Sequence, residues 1–143
     1  MQFGDGANEK DSQEMYEACR ERGINFFDTA FVYTGGKSEL ILGNLIKEER
    51  DKIILITKAG SVGGSSGKNI RSQLEESLKR LKQDYVDVFF LHHWDDNVPL
   101  EETFETLQKL REEGNFSIRC FKFFCLASNE SAVGCGKKWV PVS

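Results

Sequence analysis

The stretch Gly23-Ile24-Asn25-Phe26-Phe27-Asp28-Thr29-Ala30-Phe31-Val32-Tyr33 decides how the rest of the chain is read. Residues 24–27 are mostly apolar and read as a short buried strand. The run stops at Asp28. Burying a lone carboxylate is costly, so an acid at the end of a buried strand must be paired or solvated. Tyr33 follows, and Thr34-Gly35-Gly36 then supplies a flexible turn.

Two later segments repeat this pattern. Ile53-Ile54-Leu55-Ile56-Thr57 is an apolar run ending in Lys58, and Val86-Asp87-Val88-Phe89-Phe90-Leu91 is one ending in His92. Three candidate parallel strands thus each terminate in an ionisable group, with a tyrosine just past the first. In a parallel α/β sheet or barrel the C-terminal strand ends share one face, where active sites form. Any one of these residues alone reads as an ordinary strand end meeting water. Jointly they predict that Asp28, Tyr33, Lys58 and His92 converge.

Helical patterns fill the gaps. Asp11-Ser12-Gln13-Glu14 offers capping residues, and Met15, Ala18 and Cys19 mark the inner face of a helix that Gly23 ends. Ser38-Glu39 opens a second, with Ile41, Leu42, Leu45 and Ile46 inward. Ile70, Leu74, Leu78 and Leu81 step by four, four and three residues, an amphipathic helix. Pro99 suits a first helical turn, before Leu100, Phe104, Leu107 and Leu110. The order α-β-α-β-α-β-α makes a parallel sheet built from βα units the economical reading.

At 143 residues and 39% hydrophobic, the chain falls in the single-domain range and can pack a core. A net charge of -4 and a pI of about 5.3 argue against nucleic acid or an anionic membrane surface as partner. No apolar run approaches the roughly 20 residues of a membrane span, and Asp5, Glu9, Lys10 and Asp11 are no signal peptide. Cys19, Cys120, Cys125 and Cys135 show neither CxxC nor paired spacing, which reads as reduced thiols in a cytoplasmic protein. Composition breaks after Gly114. The remainder carries Arg119, Lys122, Lys137 and Lys138 against Glu130, a net of +3, which leaves -7 for residues 1–114.

Two motif candidates are set aside. Gly63-Gly64-Ser65-Ser66-Gly67-Lys68-Asn69 is one residue short of a phosphate loop and has Asn69 where magnesium would need Ser or Thr. His92-His93-Trp94-Asp95-Asp96 as a metal cluster meets the alternation of strand side chains and lacks further ligands. No metal site is expected.

Several motifs, in order and with sensible gaps, resemble the aldo-keto reductase family. They are Ile24-Asn25-Phe26-Phe27-Asp28-Thr29-Ala30 with Tyr33, Ser38-Glu39 with Leu42-Gly43, and Ile56-Thr57-Lys58. Leu74-Glu75-Glu76-Ser77-Leu78-Lys79-Arg80-Leu81 follows, then Asp84-Tyr85-Val86-Asp87-Val88 leading to Leu91-His92. The resemblance runs from about Met1 to Gly114. It implies a (β/α)8 barrel, NADPH-dependent reduction of a small aldehyde or ketone, and a catalytic tetrad of Asp28, Tyr33, Lys58 and His92. The family also contains potassium-channel beta subunits, regulatory proteins on the same barrel.

The implied chemistry is coherent. A hydride attacks the carbonyl carbon and the oxygen needs a proton. Tyr33 is the candidate acid. Free tyrosine, with a pKa near ~10, is a weak donor at neutral pH, and an adjacent cation stabilises its anion. Lys58 supplies the cation, Asp28 keeps it charged and oriented, and His92 positions the carbonyl oxygen. His93 and Trp94 read as substrate-loop neighbours.

A full barrel takes about 250 residues, so the fold expected is a partial barrel over residues 1–114 with a divergent tail over 115–143. Met1-Gln2-Phe3-Gly4 resembles the end of the family's first strand. Ile118-Arg119-Cys120-Phe121 and Leu126-Ala127-Ser128-Asn129 faintly resemble its fifth, which makes Ser128 and Asn129, with Asp28, the expected cofactor-binding residues. The chain reads as a truncated, alternatively spliced or frameshifted form. Its alternative role is a non-catalytic remnant or regulatory subunit that associates with other chains. Open sheet edges are expected to drive self-association.

Overall fold

The computed structural model describes residues 3–121. Strands β1 (Phe26–Asp28), β2 (Ile54–Ala59), β3 (Val86–Leu91) and β4 (Phe116–Phe121) alternate with helices α1 (Glu9–Glu21), α2 (Lys37–Leu45), α3 (Gly67–Leu81) and α4 (Leu100–Glu112). All four strands are parallel and lie in the order β1-β2-β3-β4. Parallel neighbours need a crossover, and each helix between strands supplies one. The result is the βα winding of a barrel, in part. β4 runs beside β3 from the Val86–Phe116 pair to the Leu91–Phe121 pair.

The core lies between the sheet and its helices. Leu55, Phe89, Ile70, Leu74, Leu81, Leu107 and Leu110 are at most 1% exposed. Burying each such side chain stabilises by about 1.5–3 kcal/mol. Ser66 caps α3 by accepting from the Asn69 N–H, and the four-four-three spacing then turns one face of that helix onto the sheet. Gly43 lets α2 lie against the end of α3. A Cβ there would sit 2.3 Å from the Leu81 carbonyl oxygen, so any side chain forces the helices apart. Among the described residues, no helix is long and apolar enough to cross a membrane.

Four local expectations need correction. The first strand is Phe26–Asp28, and it is not buried: Ile24 is 46% and Phe26 54% exposed. β1 is an edge strand of the described sheet, and only Phe27 turns toward the helices, its ring 4.8 Å from that of Tyr16. Helix α1 starts earlier than expected. Asn8 and Asp11 form a reciprocal capping box, which leaves Asp11 inside the first turn. Its inner face is Ser12 and Tyr16, whereas Met15 is 46% exposed. The face lies one residue round because Tyr16 buries its ring and still reaches a polar partner through its hydroxyl. On α4 Pro99 is the N-cap, and Thr103, Leu107 and Leu110 face inward while Phe104 is 39% exposed. Thr103 takes an inward position because its hydroxyl donates to the Ser65 carbonyl at 3.3 Å.

Candidate active site

β1, β2 and β3 end side by side, so Asp28, Lys58 and His92 leave the sheet at one rim. The β2–β3 ladder runs through the Lys58–Phe90 pair, and the His92 N–H extends it by donating to the Ala59 carbonyl at 2.7 Å. The Lys58 side chain is 4% exposed. A buried ammonium must place all three of its N–H donors. One goes to the Asp28 carboxylate in direct contact, one to the Thr29 carbonyl at 2.8 Å and one to the Tyr33 hydroxyl at 3.3 Å. Lys58 Nζ also lies 4.8 Å from the centre of the Tyr33 ring.

Tyr33 arrives on the turn after β1. The Phe31 N–H donates to the Lys58 carbonyl and the Tyr33 N–H to that of Ala30, both at 3.0 Å. The turn is thereby fixed to the strand that carries the lysine. His92, buried, meets the edge of the Tyr33 ring at 5.9 Å between centroids and 81° between planes. Its other side stacks on His93 at 4.8 Å. The structure thus brings Asp28, Tyr33, Lys58 and His92 together from three strand ends and one turn.

The sense of the hydrogen bonds matters chemically. Lys58 occupies a lone pair of the phenol oxygen, so the phenol's own proton is directed elsewhere. If that proton leaves, the cation already stands beside the oxyanion that forms. Asp28, with its side chain 47% exposed, balances Lys58 while remaining open to a ligand.

The loop of residues 60–68 is no phosphate cradle. Three of its amides are already used: Gly60 donates to Gln73 Oε1, Ser65 to Asp95 Oδ2 and Gly67 to Glu102 Oε1, each at 2.9 Å. An anion would have to displace two carboxylates. Asp95 also accepts from the Asn97 backbone and side chain, and these donors hold its carboxyl below the usual range. Among the described residues, no group of three or more His, Cys, Asp or Glu is placed to hold a metal ion. Ser128 and Asn129 lie outside the described residues.

Sequence reasoning missed the pair behind the turn. Glu39 is 0% exposed; its Oε1 accepts from Thr57 Oγ1 at 2.6 Å and its Oε2 from Arg80 Nη1 at 3.3 Å. An acid in the first turn of a helix reads as a solvated complement to the dipole, and an arginine late in a helix as the same in reverse. Only the three-dimensional crossing of α2, α3 and β2 makes them partners.

Residues 1–121 match the aldo/keto reductase family. The chain belongs to that family. Among similar proteins, it is 41% identical over 121 residues to rat (Rattus norvegicus) aflatoxin B1 aldehyde reductase member 2, a match covering 81% of this chain and 33% of that protein. It is 38% identical over 121 residues to a probable voltage-gated potassium channel subunit beta of Arabidopsis thaliana, covering 78% and 37%. The fold resembles that of an aldo-keto reductase from Bacillus halodurans in its holo form, with a TM-score of 0.73 and 31% identity over 81% of this chain and 43% of that one. The chain therefore spans about a third of the length of these curated relatives.

Proposed function

We propose that the described residues form the proton-donating side of an NADPH-dependent reductase of small aldehydes or ketones. The observation that carries this reading is the Tyr33 hydroxyl, 3.3 Å from a buried Lys58 that is paired with Asp28, with the His92 ring against it. A bound NADPH supplies the hydride. Tyr33 then gives its proton to the carbonyl oxygen, Lys58 stabilises the oxyanion left on the phenol, and Asp28 balances the lysine. His92 hydrogen-bonds the carbonyl oxygen and orients it. Asp28, its side chain 47% exposed beside Lys58, is the proposed cofactor contact, and Ser128 and Asn129, outside the described residues, are proposed as further ones. Reduced thiols fit a cytoplasmic setting, and the acidic balance fits a small-molecule substrate rather than nucleic acid.

The proposed site has groups suited to the hydride end of the cofactor, whereas in the loop of residues 60–68 two carboxylates already hold amides that a phosphate would need. Near-attack positioning carries several kcal/mol of such a barrier. The 143-residue chain by itself is therefore expected to show no measurable reduction. A chimaera in which residues 3–121 replace the corresponding part of the Bacillus halodurans enzyme should bind NADPH and turn over aldehydes. A chimaera that folds and binds NADPH but turns over none of a panel of aromatic and aliphatic aldehydes would refute the reading.

A second reading is favoured by the channel-subunit relatives and by the exposed Ile24, Phe26 and Ile54 at the β1 side of the sheet. Here the chain associates with other chains, or with its own copies, through that open edge. Sedimentation of the purified chain decides it: a sharp monomer, unchanged by Phe26→Lys, counts against association.

A further inference from the structure

The turn that presents Tyr33 holds three successive residues in the left-handed region. Thr34, Gly35 and Gly36 have φ of 50°, 64° and 91°. Thr34 adopts this conformation without glycine's freedom. Such backbone persists only where its surroundings over-determine it. Part of that determination comes from the turn itself. Thr34 Oγ1 lies 2.9 Å from the Phe3 carbonyl and accepts from the Ser38 N–H at 2.9 Å. The rest comes from α3.

Arg80 reaches the chain on both sides of Tyr33. Its Nη1 donates to the Phe31 carbonyl at 2.9 Å, and its guanidinium lies 4.5 Å from the centre of the Phe31 ring. Beyond Tyr33 it packs on Gly36, where a Cβ would come within 2.7 Å of the guanidinium carbon. Its position is set by the buried Glu39 and by Glu76, which accepts from Nε at 3.1 Å. The second oxygen of Glu39 is bound by Thr57, the residue before Lys58 and on the opposite face of β2. One buried carboxylate therefore ties the turn that carries the tyrosine and the strand that carries the lysine to a common point.

We infer that Arg80, aimed by Glu39, is the positioning residue that sets the Tyr33 phenol on Lys58. A buried ion pair is weak evidence for stability in itself, because desolvation offsets its attraction. What distinguishes this one is where it attaches. A lysine at position 80 would keep the charge but lose the planar group that stacks on Phe31 and covers Gly36. The inference rests on Tyr33 being the proton donor only for its functional meaning; the geometric claim is independent of turnover.

Arg80→Lys and Glu39→Gln variants of the 143-residue chain test it by NMR without cofactor. Two readouts are followed: the nuclear Overhauser contact between the Lys58 side chain and the Tyr33 ring, and hydrogen exchange of the Tyr33 and Gly35 amides, which donate to Ala30 and Val32. The contact should be lost and those amides should exchange about 10- to 100-fold faster. The His92 amide, bonded to Ala59 across β2 and β3, should keep its protection. Retention of contact and protection in both variants overturns the inference. Equal loss of protection at His92 in both variants overturns it too, since the pair would then hold the fold rather than the turn. A chain that fails to reduce aldehydes leaves these readouts untouched, so failure of the reductase reading is told apart from failure of this one.

Discussion

Tyr33, Lys58 and Asp28 gather at the C-terminal ends of the strands; Tyr16, Arg20 and Glu49 gather near the N-terminal ends of β1 and β2. Each group is a tyrosine, a cation and a carboxylate, yet they are wired in opposite senses. At the first, the cation donates to the phenol oxygen, so the phenol acts there as acceptor. At the second, the Tyr16 hydroxyl donates to Glu49 Oε1 at 2.6 Å, and Arg20 grips the same carboxylate through Nε and Nη2 at 2.9 and 2.8 Å. Burial, then the hydrogen bond to Glu49 and its charge, push the Tyr16 phenol far above its ordinary value. Arg20 and then Tyr16 hold Glu49 down to about 2. Residue types therefore do not tell the two clusters apart. The direction of the phenol's hydrogen bond does.

The largest contrast is expected on replacing each cation. In the Bacillus chimaera, Lys58→Met should lower turnover roughly 100-fold or more, because the phenol loses the charge that stabilises its anion. Arg20→Met should leave turnover near the parent value and lower the Tm instead. Equal effects of the two substitutions on turnover would break the distinction.

A smaller effect is expected on stability from the tyrosines themselves. Tyr16→Phe removes a half-buried hydrogen bond to a charged group and should cost about 1.5–3 kcal/mol in denaturant unfolding. Tyr33→Phe should cost within about 1 kcal/mol, because Lys58 keeps Asp28 and the Thr29 carbonyl as acceptors.

The smallest effect is in the pH dependence. Glu49 falls from an ordinary 4.5 to about 2 on folding. Its stabilisation is complete above the unfolded value and is lost as pH falls from 4.5 toward about 2, where the folded carboxylate takes up its proton. Thermal melts across that window should show a shallower loss in Glu49→Gln than in the parent. Parallel curves would mean that the clamp does not respond to its carboxylate.

Much of the sheet and of the rim was legible in the sequence because strand, charge and turn follow one another locally. Ile53 to Lys58 and Val86 to His92 each carry their strand and its terminal group within a few residues, and the α3 spacing is a face by itself. What escaped depends on contacts between distant segments. Phe26 looks like core in the sequence, and its exposure follows from β1 lying at an edge of the described sheet. The sequence favours Met15 over Tyr16 on the inner face because a tyrosine's inward turn depends on Glu49, far along the chain. Glu39 and Arg80, likewise distant in sequence, carry no signal of partnership until α2 and α3 cross.

The proposed function requires that Tyr33, and not merely a tyrosine beside a charge, delivers the proton. It is tested most directly by assaying the chimaera as Tyr33→Phe and as Tyr16→Phe, following aldehyde-dependent loss of NADPH absorbance under saturating cofactor. Tyr33→Phe is predicted to lower kcat by roughly 100- to 10,000-fold with NADPH binding retained, the range for a positioned general acid, while Tyr16→Phe stays within about twofold of the parent wherever it is folded. Turnover that survives Tyr33→Phe would contradict the claim.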